Sequence, residues 1–338
     1  MTKRSIAPSS ATGVRLLLGV TLGLGAFVAF PARAHATEAE AVSLEEDNSQ
    51  PAEKKEKEDD QPKRKKKIFA PYSLPWMLRP AAPTSMARAD TVAAFYGVDG
   101  GTIVSQLSFS YKLMPRLALL AKLGVAEDSP PTGAGGFGLF NPLIGGHVGF
   151  WPAKSLRFGG FLGLTIPMGM GGGANPDKGS VEVNHGAMLA RGGMDDALFM
   201  PDYITALPGL DLAYVTKGFT VQGEITLGIL TKVRGPETEK STNSDLSMGL
   251  HLGYFLFPFV SVGAELRHQR WLSTPRFVGA DLSRELRDVT SLSLGPRAHI
   301  ELEEDFKFRP GFSMTFGLDR PMSSSHYKVV QIDLPFTF

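Results

Sequence analysis

From residue 89 to the C-terminus the chain alternates. Bulky apolar side chains recur at every second position, with small or polar ones between them. Leu107, Phe109, Tyr111 and Leu113 alternate with Gln106, Ser108, Ser110 and Lys112. Phe219, Val221, Ile225, Leu227 and Ile229 alternate with Thr220, Gln222, Glu224 and Thr226. The same pattern places Leu246, Met248, Leu250, Leu252 and Tyr254 on one face and Ser247, Gly249, His251 and Gly253 on the other. A period of two belongs to β-strands with two unlike faces, and it excludes a helical fold here. The pattern predicts strands near 91–97, 102–113, 116–125, 142–151, 156–167, 208–216, 219–230, 245–256, 259–271, 289–300, 307–318 and 327–338.

Alternation alone also fits a soluble β-sandwich. Three features argue for a transmembrane barrel instead. First, the small and polar face carries Glu224, Glu265, Arg267 and Arg297 among many Gly and Ser, too polar for a dry core. The bulky apolar face then needs a partner, which is lipid. Second, connections alternate in length. Met114-Pro115, 152–155, Lys217-Gly218, Phe257-Pro258 and 301–306 are tight, whereas 126–141, 168–207, 231–244, 272–288 and 319–326 are longer. Up-and-down order puts the tight turns at one end and the loops at the other. Third, Tyr111, Phe150, Phe158, Tyr214, Phe219, Tyr254, Phe308, Phe336 and Phe338 point outward near the tight-turn end, as an interfacial girdle does. Outward charges, Arg270 and Lys328 with His268 nearby, fall only at the loop ends. The expected fold is all-β: an up-and-down antiparallel barrel of about 12 strands over 89–338.

The last strand sets Val330, Ile332, Leu334, Phe336 and the terminal Phe338 on one face. This resembles the C-terminal assembly signal of Gram-negative outer-membrane β-barrels. The resemblance is architectural and covers about 250 residues. It implies insertion by the barrel-assembly machinery and says nothing of cargo. Pro296, Pro310 and Pro335 depart from the pattern, because a proline inside a strand removes a ladder hydrogen bond. Either those strands are bulged or their boundaries lie elsewhere.

The region before the barrel has two parts. Residues 1–36 hold no Asp or Glu; Lys3, Arg4 and Arg15 precede an apolar run from Leu16 to Phe30, Pro31 and Ala34-His35-Ala36. This pattern predicts a secretory signal peptide cleaved after Ala36. Its apolar run is short for a spanning helix, which needs about 20 residues. Removing it leaves 31 basic against 34 acidic residues. Residues 37–88 are expected to be a disordered periplasmic tether. Thr37 to Lys67 contains ten acidic and eight basic residues and ends in Lys63, Arg64, Lys65, Lys66 and Lys67. That basic run is either a contact for cell wall or anionic headgroups, or a solvated linker. Residues 68–88 mix Ile68, Phe69, Tyr72, Leu74, Trp76, Met77 and Leu78 with prolines, and lie along an apolar surface or enter a pore.

Composition closes other classes. With no cysteine, disulfide scaffolds and Cys-based metal sites are excluded. A near-neutral chain with a mean hydropathy of −0.03 shows no nucleic-acid partner and no polytopic helical membrane protein.

Function must then lie in the lumen or the loops. Candidates facing inward are Glu224, Glu265, Arg267, Arg297, Arg157, Asp211, Asp333 and His251. They read equally as a polar channel with a mild cationic bias, which favours small anions, or as an internal salt-bridge network that fills the barrel. Loop 168–207 holds five of the chain's twelve methionines, Met168, Met170, Met188, Met194 and Met200. It reads as a gate, with a short amphipathic helix over Asp195 to Leu207, or as an ordinary surface loop. Its glycine run, Gly169 to Gly173, lacks the Gly-Lys-Ser/Thr of a phosphate loop. No catalytic motif occurs; His268 and Ser273 near one rim and His185 in the long loop are the nearest approach to one. The expectation is a narrow passive channel or uptake protein of the outer membrane, neither an enzyme nor a cofactor binder, with outer-membrane lipid as its surroundings. The alternative is a structural or surface-interaction barrel with a plugged lumen; an outer-membrane hydrolase comes third.

Overall fold

The computed structural model describes residues 71–96, 100–130, 135–192, 195–237, 240–280, 287–303, 305–324 and 327–338. The signal peptide, its cleavage after Ala36, the charged tether with its Lys63–Lys67 run, and Met194 lie outside the described residues.

The described chain is a closed antiparallel barrel of twelve staves. The strands are β1 (Met86–Tyr96), β2 (Gly100–Met114), β3 (Leu117–Ser129), β4 (Gly136–Leu139), β5 (Leu143–Ala153), β6 (Leu156–Thr165), β7 (Tyr203–Thr216) and β8 (Phe219–Lys232). They continue with β9 (Thr242–Phe257), β10 (Val260–Trp271), β11 (Asp288–Ala298), β12 (Ile300–Glu301), β13 (Lys307–Phe308), β14 (Gly311–Gly317) and β15 (Lys328–Thr337). β4 with β5, β11 with β12, and β13 with β14 each form one interrupted stave. Neighbours in sequence pair throughout, and β1 pairs with β15 from Met86↔Thr337 to Phe95↔Lys328, which closes the sheet and leaves no edge.

The alternation determines the two surfaces. Tyr111, Phe150, Leu162, Leu210, Leu250 and Ile332 are exposed on the outside, while their neighbours Ser110, Phe161, Asp211, His251 and Gln331 are buried inside. A band of exposed bulky apolar side chains around a closed sheet is the exterior of a transmembrane barrel. In the girdle Tyr111, Phe158, Tyr214, Phe219, Tyr254 and Phe338 are exposed, whereas Phe308 and Phe336 stack on each other with ring centres 4.4 Å apart.

Turn chemistry fixes the hairpins. At Lys217-Gly218 both residues have positive φ, 42° and 83°, the conformation of a two-residue hairpin turn whose twist matches its strands. Of Pro296, Pro310 and Pro335, the first two mark irregularities. Pairing of β11 with β14 is interrupted between Leu294↔Met314 and Arg297↔Gly311, beside Pro296, and Pro310 separates β13 from β14. Pro335 stays within β15, where its carbonyl accepts from the Arg309 amide at 2.9 Å.

Three boundaries differ from the sequence reading. β1 starts at Met86, so residues 71–85, assigned above to the tether, adjoin the barrel directly. β7 starts at Tyr203, which shortens the long loop to 166–202. That loop's main helix, α1, is Lys178–Ala190, not Asp195 to Leu207; only Asp196–Phe199 forms a 3₁₀ turn in the expected place. Asp177 caps α1 by accepting the Ser180 amide at 2.9 Å. Pro201 and Pro208 bracket a stretch that instead extends into strand.

Candidate functional site

The site is the barrel interior, and two chain segments enter it from opposite ends. Residues 71–85 enter from the tight-turn end. Tyr72 donates to Gln222 Oε1 at 2.5 Å, and the Ser73 amide donates to Thr220 at 3.1 Å, both close to the Lys217-Gly218 turn. The segment then rises to the middle of β10, where Glu265 accepts the amides of Trp76 at 2.9 Å and Met77 at 3.1 Å. It returns along β2, where the Thr84 carbonyl accepts from Ser110 at 2.6 Å. Pro71, Pro75, Pro80 and Pro83 interrupt this segment's amides, so it does not pair as a strand; wall side chains bond part of its backbone instead. Leu74, Trp76 and Leu78 are at most 2% exposed, which makes them filling rather than surface.

The loop insert enters from the other end. α1 and the 3₁₀ turn bury Val183, Ala187, Met188, Leu198 and Phe199 against Val92, Val104, Phe140 and Phe161 of the wall. Below this apolar layer sits a polar one. Arg191 pairs with Asp90 at 2.7 Å and Asp195 at 2.7 Å, and Lys122 reaches Asp195 at 3.2 Å. Burial alone would raise the Asp195 carboxyl; Lys122 and Arg191 outweigh it and hold the group well below the usual carboxylate range.

Every lumen candidate named from the sequence is inside, and most hold an insert. Arg79 of the N-terminal insert pairs with Asp211 at 3.3 Å and Glu224 at 3.0 Å, with its guanidinium 4.2 Å from the centre of the Phe161 ring. Asp333 binds Arg88 at 2.6 Å and Arg297 at 2.5 Å, and both cations also reach the Pro75 carbonyl. Arg157 lies over the Tyr72 ring at 4.9 Å. His251 contacts Ser73 at 3.3 Å. Arg267 joins the two inserts: its Nη1 donates to the Arg191 carbonyl at 3.2 Å and contacts Met77 Sδ, while Nη2 donates to Ser293 at 3.0 Å. Between the inserts remains a cavity of about 90 Å³.

The methionines do not act together. Met188 is buried in the apolar layer and Met200 packs at its margin, but Met168 and Met170 are exposed. Near the rim, His268 contacts Thr290 at 2.9 Å, and Ser273 donates to Asn243 at 3.0 Å and accepts the Ser244 amide. These are strand-end contacts rather than a nucleophile with its base. Among the described residues no three His, Asp or Glu side chains are placed to hold a metal ion. Sequence reasoning missed Arg79, Arg88, Asp90, Arg191 and Asp195. The only signal for the N-terminal insert was an apolar, Pro-rich stretch directly after a charged one.

No protein-family model matches the chain, and no curated protein matches it in sequence. Solved structures with similar architecture include the NanC porin, at 6% identity and a TM-score of 0.43, over 74% of this chain and 98% of that one. The COG4313 outer-membrane channel from Pseudomonas putida F1 is 12% identical with a TM-score of 0.46, over 75% and 95%. The translocator domain of the autotransporter NalP from Neisseria meningitidis is 12% identical with a TM-score of 0.43, over 78% and 90%.

Proposed function

We propose that the chain is an outer-membrane uptake barrel, a narrow passive channel for small solutes held closed by its two inserts. The observation that carries this reading is what closes the lumen. Residues 71–85 and the loop insert fill it, the first against a charged and polar inner face and the second against an apolar layer with Asp90 and Lys122 beneath. Withdrawal of the N-terminal insert would leave Glu224, Asp211, Glu265 and Arg297 facing water, a lining suited to polar solutes. An export signal over residues 1–36 and a terminal Phe338 strand offered to the assembly machinery would deliver the lipid-facing band to the outer membrane. The turns would face the periplasm, with the tether and its basic run available there to cell wall or headgroups.

The second reading is a permanently plugged structural barrel. It is favoured by how fully Arg79 and Asp333 are charge-compensated. Swelling of vesicles loaded with the purified chain separates the two. The uptake reading expects small solutes to enter through a variant lacking residues 71–85 faster than through the full chain. Exclusion of solutes by both, with both folded, would leave the structural reading.

A further inference from the structure

Interior carboxylates of this barrel follow a rule. Asp90, Asp195, Asp211, Glu224, Glu265 and Asp333 each face an Arg, Lys or His within 4 Å. Asp196 and Asp245 depart from it. Asp196, on the 3₁₀ turn of the loop insert, and Asp245, on β9, are each 5% exposed, and among the described residues neither has an ion pair. Each has one buried Oδ1 without a hydrogen-bond partner, and both line the cavity between the inserts. The Gln269 amide approaches Asp245 from the adjacent strand, which leaves Asp245 Oδ1 without a hydrogen bond. Burial, reinforced by the charges of Asp245 and Asp195, pushes the Asp196 carboxyl well above its usual range. Two buried carboxylates without a counter-charge are costly, and a cation supplied from outside would relieve that cost.

We propose that Asp196 and Asp245 hold the ammonium group of a small organic amine, with Phe161, Leu198 and Leu207 against its apolar part. These three side chains line the same cavity as the two carboxylates. An ammonium brings three donors and a full charge to acceptors that lack both. A hard metal ion fits less well, since it asks for several more oxygen ligands, and among the described residues no three His, Asp or Glu side chains are placed to hold one. The cavity holds about three water volumes, room for a short alkyl chain. Asp245 is placed by a missing side chain: a Cβ on Gly228 would stand 1.8 Å from its Oδ1. The inference deepens the uptake reading by naming the class of cargo. It rests on that reading only for the amine's route, because occupancy is an equilibrium property.

The test is calorimetric titration of the detergent-solubilised full chain with n-propylammonium, compared with n-propanol and Mg²⁺. Saturable binding of n-propylammonium alone is expected, weakened about tenfold or more by Asp245→Asn through loss of a charge-assisted hydrogen bond. Gly228→Ala should weaken it similarly by displacing the carboxylate, while Asp288→Asn at the rim should leave it unchanged. Absence of saturable binding, equal binding of n-propanol, tighter binding of Mg²⁺, or affinity unchanged in both interior variants would overturn the proposal. Each variant is first shown to be folded by its shift on unheated gels. None of these outcomes depends on whether the barrel conducts.

Discussion

Replacing Asp333 by asparagine is expected to destabilise the folded barrel by about 3–5 kcal/mol, the cost of stripping a buried pair of one partner. Asp333 is fully buried and answers two cations, Arg88 on β1 and Arg297 on β11. β1 and β15 are the strands that close the barrel, so this carboxylate sits at the seam. Asparagine keeps the shape and one acceptor but removes the charge. Arg88 and Arg297 would then share one neutral amide oxygen and the Pro75 and Arg309 carbonyls in place of a carboxylate. The measurement is the urea midpoint of unfolding from lipid vesicles. Adding Arg297→Met to Asp333→Asn should recover part of the loss by removing the stranded cation. A single variant within about 0.5 kcal/mol of the parent, the range of ordinary surface changes, would show that the network is not holding the seam.

The second large effect falls on the N-terminal insert. Arg79 is the only cation between Asp211 and Glu224 contributed by that segment, and those two carboxylates are directly opposite in the β7–β8 register. Arg79→Ala leaves them facing each other with His147, 3.4 Å from Asp211, as the nearest basic group. Their repulsion then opposes reseating of the segment, although Glu265 still accepts the Trp76 and Met77 amides. Loosening can be read at Leu74, which is 2% exposed. The native chain has no cysteine, so Leu74→Cys provides a single thiol. Maleimide should label it slowly in the parent and about tenfold or more faster beside Arg79→Ala, the ratio for roughly 1.4 kcal/mol of lost seating. Equal rates would mean that the backbone contacts alone hold the insert.

The two effects show which parts of the molecule the sequence made legible. Strand alternation is a local signal, and it placed the staves, the inner and outer faces and the alternation of turns and loops. It also placed Glu224, Glu265, Arg267 and Arg297 inside, because an inward side chain on a barrel strand has nowhere else to go. Partners were another matter. Arg79 meets Glu224 across 145 residues of chain, and no periodicity reports such a distance. Residues 71–85 alternate only briefly, at Leu74, Trp76 and Leu78, before the prolines end the pattern; their apolar side chains pack because a wall surrounds them. α1 was placed too late because its buried positions include Gly186, Ala187 and Ala190, small residues that give a weak amphipathic pattern. The Met-rich loop drew attention for its sulphur, whereas its structural weight lies in Arg191, Asp195 and Phe199.

The claim that the lumen is polar, continuous and closed only by removable inserts is tested most directly by single-channel current. The full chain is compared in planar bilayers with a chain that begins at Met86 and has 166–202 replaced by a short turn. The account predicts little or no current through the full chain and stable, stepwise current through the shortened one. A shortened chain that is folded and inserted but carries no current would contradict it.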